Sequence, residues 1–185
     1  MKRSIASLLV IGLSLLPLAT LPAAEPGQAD FGNFEAPGNG GEFVEVNLPA
    51  NLIALAARFV EKQDADVAKL LASVKQVRVN VIGVNDTNKE GLQKRVQKVR
   101  TDLASQGWER IVTAQQQEQD VSVFLKMDQN STIQGLTVVV IDGSKQAVFA
   151  NIVGNIKPEQ LTMLGEKLNI EPLKKMGAVT APEAK

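Results

Sequence analysis

The feature that most constrains this chain is a series of four β-type segments in its second half, Glu109 to Ala114, Val121 to Met127, Thr132 to Ile141 and Ala147 to Val153. Parallel neighbours need a connection of a dozen or more residues, so the short links between these segments make them antiparallel. The links carry turn chemistry: polar Gln115 to Gln119, the Asp128 to Ser131 loop (DQNS), and Asp142-Gly143. Thr137 to Ile141 (TVVVI) is uncharged and strongly β-forming. It belongs at the centre of a sheet, because at an edge it would invite aggregation.

Elsewhere the apolar residues recur at helical spacing. Leu92, Val96, Val99 and Leu103 form one stripe, opened by a capping-box pattern of Thr87 with Glu90 and ended by Gly107. Upstream, Phe43, Val44 and Val46 make a short extended entry. Asn47 and Pro49 then supply a cap and an early-helix proline for a helix whose apolar face is Leu52, Ile53, Ala56, Phe59 and Val60. Asp64 caps a second short helix carrying Val67, Leu70 and Leu71, and Val74, Val77, Val79 and Val81 alternate with polar residues as a half-buried strand. Pro158 opens a final amphipathic helix with Leu161, Leu164 and Leu168. The expected fold is α+β: an antiparallel sheet of about four to six strands ending in a meander, with helices packed on it as a two-layer sandwich.

The ends read differently. Lys2 and Arg3 precede a charge-free apolar stretch from Ile5 to Leu21, the pattern of a secretory signal peptide over residues 1–24 with cleavage after Ala23 or Ala24. The competing reading is an uncleaved anchor, against which Ser7, Gly12, Ser14 and Pro17 lower the hydrophobicity. Residues 25–42 are rich in Gly, Pro, Asn and acidic residues and read as a flexible leader, with Phe31 and Phe34 as its only large apolar groups, free or docked. A single domain over 43–172 and a loose tail over 173–185 complete the expected organisation.

Three residue types are missing, and each absence excludes chemistry. Without cysteine there are no disulfides, no thiol catalysis, no thiolate metal sites and no lipoprotein acylation. Without histidine and tyrosine, the commonest general base, the commonest metal ligand and the phenolic acid are gone too. The chain carries 20 basic and 20 acidic residues, and removal of Lys2 and Arg3 with the signal leaves 18 against 20. No electrostatic pull toward nucleic acid follows.

FVEVNLPANLIALAARFV, VKQVRVNVIGV, QGWERIV and NIVGNIKPEQL occur in that order between Phe43 and Leu168. With them the chain resembles a bacterial family known only as domain of unknown function 4252. The resemblance implies an exported α+β domain and supplies no activity and no catalytic residues.

Candidate sites are few. Lys89, Lys94, Arg95, Lys98 and Arg100 crowd the long helix, and Lys94, Arg95 and Lys98 form a candidate surface for an anionic ligand, a membrane or an acidic partner. The plainer reading is the solvated face opposite the apolar stripe. Trp108, the only tryptophan, follows the helix-ending glycine and is expected to plug the core edge rather than anchor a partner. Asp120, Asp128 and Asp142 bracket the hairpins; a catalytic carboxylate pair or a Ca²⁺ site competes there with ordinary turn chemistry. Ser144 and Lys145 are adjacent and point apart, so they make no nucleophile pair. Gly154 and Asn155 read as a turn, or as backbone donors to an anion. The expected function is a non-catalytic binding or interaction module exported to the periplasm or envelope, without cofactor, whose partner is another envelope protein or an anionic surface. The alternatives are an anion or membrane binder through residues 88–106 and a carboxylate-based hydrolase.

Overall fold

The structure, a computed structural model, describes residues 25–38, 40–116, 119–143, 145–157, 160 and 163. Strand β1 (Phe43–Pro49) passes directly into helix α1 (Ala50–Val60), with extended Pro49 as the residue before the first turn. Asn47 does not cap that helix. It remains in the strand, where its Oδ1 accepts from Gln76 Nε2 at 3.1 Å. Asp64 does cap α2 (Ala65–Ser73), its Oδ1 accepting the Val67 N–H at 3.0 Å.

Strand β2 (Val74–Gly83) leads to the long helix α3 (Lys89–Ser105). The Thr87/Glu90 capping box does not form. Asn85 competes for the same donors, its Oδ1 accepting the backbone N–H groups of Thr87 and Asn88 at 3.0 Å each, and Glu90 turns to Lys94 instead at 2.6 Å. The other end behaves as read. Gly107 takes a left-handed φ of 75°, and the Trp108 N–H reaches back to the Leu103 carbonyl at 3.0 Å, closing the helix.

Four strands follow, β3 (Glu109–Gln116), β4 (Gln119–Met127), β5 (Ile133–Asp142) and β6 (Gln146–Ile156). All pairings are antiparallel and the six strands lie in the order β1-β2-β6-β5-β4-β3. The α+β class, the meander and the inner position of Thr137 to Ile141 are as expected. Gly154 and Asn155 do not form a turn: β6 runs on through both, and the Gly154 Cα lies so near α2 that a Cβ there would sit 2.3 Å from the Ser73 carbonyl oxygen.

Side-chain alternation gives the sheet two cores. Phe124, Val139, Ile141 and Phe149 face α3, while Val123, Leu125, Leu136, Val138 and Ile152 join Ile53 and Leu70 of α1 and α2. Strands such as β5 are apolar at consecutive positions and so present apolar surface on both sides. Helices therefore cover both faces, and the expected helix-on-sheet layer occurs once on each.

Residues 25–34, read from composition as a flexible leader, are packed as a strap beneath α3. Asn151, fully buried, accepts the Ala29 N–H at 3.1 Å and donates to the Gly27 carbonyl at 3.0 Å. Phe31 is buried and Phe34 partly so, their rings 5.6 and 4.8 Å from that of Phe149. Gly27 and Gly135 make the approach feasible: a Cβ on Gly135 would meet the Gly27 carbonyl oxygen at 2.4 Å and Trp108 at 2.5 Å. The expected signal peptide, Ser144, most of the helix from Pro158 and the C-terminal tail lie outside the described residues. Met163 packs against the core under α1 and α2.

Candidate functional site

The basic cluster is already engaged within the fold. Lys94 pairs with Glu90 at 2.6 Å and Lys98 pairs with Asp102 one turn on, both on the exposed surface. Arg95 turns toward the strap, donating to the Phe31 carbonyl at 2.6 Å with its guanidinium 5.2 Å from the Phe34 ring centre. Arg100 holds Asp120 in a two-pronged ion pair at 2.7 and 2.8 Å, with side chains only 10% and 19% exposed. The hydrogen-bonded guanidinium keeps the Asp120 carboxyl below the usual carboxylate range, against the opposing effect of burial. An open groove of about 700 Å³ runs between α3 and the sheet end, but its lining mixes Lys89 and Lys94 with Glu90 and Asp120. The three candidate residues Lys94, Arg95 and Lys98 thus share a helix without forming an unpaired positive surface.

The three aspartates do not assemble. Asp120 and Asp142 lie at one end of the β4–β5 hairpin, Asp128 at the other. Asp120 pairs across with Ile141 and Asp142 with Gln119, so the first two occupy successive positions and opposite faces. Asp142 meets Lys145 at 3.4 Å, and Asp128 Oδ1 accepts the N–H groups of Asn130 and Thr132 at 2.9 and 2.8 Å, which is turn chemistry. Among the described residues no three acidic side chains gather as a metal site would require. Trp108 is buried in the core under α3.

The surface that sequence reasoning missed is on α1. All of its residues except Asn51 and Arg58 are apolar, and the structure buries Ile53 and Ala57. Leu52 and Phe59, read as part of the inward face, are 48% and 71% exposed, and Leu55 is 49% exposed. At 3.6 residues per turn these three cluster roughly 145° round from the buried direction. Ala54, Arg58 and Glu61 occupy the other flank, where a groove separates α1 from α2. Helix α1 lies over β1 and β2, and α2 over β2 and β6. The Leu52/Leu55/Phe59 stripe therefore looks away from α2, outward over the free edge of β1, where Val44 and Leu48 are also exposed on the same face of the sheet. The available signal was the absence of any polar face: a helix this uniformly apolar cannot bury itself on one side.

Helix α1 and strand β1 together thus expose five large apolar side chains at the β1 edge of the sheet. A family model described as a domain of unknown function (DUF4252) matches residues 38–164, and the chain belongs to that family. No curated protein and no solved structure matches it. The strap, residues 25–34, precedes the matched span.

Proposed function

We propose that this chain is an exported, non-catalytic interaction module of the cell envelope, and that the outward flank of α1 with the adjoining β1 edge is its contact surface. Export is supported by Lys2, Arg3 and the apolar stretch from Ile5 to Leu21, with cleavage after Ala23 or Ala24. The single observation that carries the interaction reading is the exposed stripe of Leu52, Leu55 and Phe59. Side chains this large gain about 1.5–3 kcal/mol each on full burial, so a helix that leaves three together in water has a strong tendency to be covered. The anionic-surface alternative has less support, because Lys94 and Lys98 have acidic partners and Arg95 and Arg100 turn inward. A carboxylate hydrolase loses its premise with Asp120, Asp128 and Asp142 apart.

The test is photo-crosslinking in cells from a reactive residue placed at position 55 or 59, with position 98 as comparison. A discrete protein adduct from 55 and 59 is expected. Adducts from position 98 alone, or none, would overturn the reading, and an intact mass retaining residues 1–24 would replace secretion with anchoring.

A further inference from the structure

We propose that the occupant of this surface is a second copy of the same chain, added edge to edge by antiparallel pairing of β1 with β1 about a two-fold axis at Val46. The inference rests on the reading of α1 and β1 as the contact surface and names its partner.

The backbone sets the phase. The Gly83 N–H donates to the Glu42 carbonyl at 2.8 Å, and in the β1–β2 register Glu42 lies opposite Gly83. By alternation Val44, Val46 and Leu48 direct their backbone groups to β2, while Phe43, Glu45 and Asn47 direct theirs out of the sheet. Only registers that set these odd positions against one another make a ladder. A two-fold on Glu45 would oppose two carboxylates, which is repulsive. A two-fold on Asn47 would put Glu45 against Pro49, which has no N–H to give. A two-fold on Val46 opposes no carboxylates and meets Pro49 only at the two ends of the ladder, opposite Phe43, leaving the central Glu45–Asn47 pairs intact.

In that register the side chains match as well. Val44 of one copy meets Leu48 of the other on the α1 face, and Val46 meets Val46. Glu45 meets Asn47 on the opposite face. The Asn47 amide nitrogen, without a partner among the described residues, is free to donate to the Glu45 carboxylate. The sequence Val44-Glu45-Val46-Asn47-Leu48 reads the same in apolar and polar character from either end, as an isologous contact requires.

The helix agrees with the strand. A two-fold perpendicular to the sheet makes the two α1 helices antiparallel on one face. Their Leu52, Leu55 and Phe59 stripes are exposed on the side away from α2, the side on which the axis lies, so the two helices approach there. The opposite edge of the sheet shows the contrast: β3 carries Glu109 and Arg110 and a register irregularity between Arg110 and Val112, devices that discourage pairing. A strand about 24 Å long, backed by one helix, covers on the order of 500 Å² per copy, under the ~800 Å² of a standard interface. An interface of that size fits a weak, reversible dimer.

Sedimentation equilibrium of the exported chain from about 1 to about 500 µM is the test. The wild type is expected to show monomer and dimer. Asn47→Pro, which removes an outward N–H without touching the β2 ladder, and Phe59→Glu are each expected to weaken dimerisation at least about tenfold. Lys98→Glu should leave it unchanged. A wild-type chain that stays monomeric throughout, or a dimer indifferent to both substitutions, overturns the proposal; because Phe59 is exposed, the second variant reads the interface even if the first fails to fold. The crosslinks from position 55 separate the two readings. An adduct of twice the protomer mass supports self-association. An adduct of any other mass sinks the dimer while leaving the contact surface standing, and no adduct removes both.

Discussion

Helices α3 and α1 reverse the usual relation between how apolar a helix is and how much of it is buried. Helix α3 is mostly polar, yet all four residues of its stripe, Leu92, Val96, Val99 and Leu103, lie in the core. Helix α1 is apolar nearly throughout, yet of its large side chains only Ile53 is fully covered. The difference is in what each helix meets. Helix α3 contacts inner strand β5 as well as β3, shares a core with Phe124 and Phe149 of inner strands, and is flanked by the strap with Phe31 and Phe34. Helix α1 lies over the edge of the sheet, where the described residues supply no further layer on one side. Burial follows from the opposing surface, and at an edge apolar surface can remain in excess of what the fold covers.

Substitutions of one residue type on both helices would break or sharpen this contrast. Leu103→Ala should cost about 3 kcal/mol in urea unfolding, since a buried leucine leaves a cavity among residues that cannot collapse fully. Arg100→Ala should cost about 2 kcal/mol by the same measurement, because it strands the Asp120 carboxylate in a mostly buried place. That pair also predicts an acid dependence. Since the folded Asp120 pKa lies below its unfolded value, its contribution is fully present above about pH 4 and disappears as pH falls through the folded pKa. The fall between pH 5 and pH 2 should be shallower in Arg100→Ala. Leu55→Ala, on α1, should change the stability of the dilute protein by less than about 0.5 kcal/mol. Equal losses at Leu103 and Leu55 would end the comparison.

The same contrast explains what the sequence made legible. The α3 stripe was readable because its four apolar residues stand against charged neighbours, and the strands because turn residues punctuate them. In α1 there was no such background. With nearly every position apolar, Leu52 and Phe59 could be assigned inward as readily as Ile53, and only the position of the helix over the edge decides. The basic cluster was visible, but not that Arg95 is taken by Phe31 and Arg100 by Asp120, because those partners are 64 and 20 residues away. The strap was hidden for a related reason. Its ten residues carry only two aromatic side chains, and the residue that holds it, Asn151, looks from sequence like any strand asparagine.

Ala29 and Asn151 are 122 residues apart, and that separation orders the folding of a chain made N-terminus first. The strap is synthesised ahead of everything it binds and must wait for β6, the last of the described strands. Until then Phe31 and Phe34 remain in water, and the Phe149 face is open to other hydrophobic chains. A chain whose β6 has not yet formed has its first segment unplaced, so the long-range closure of that segment comes late and shields the Phe149 face last.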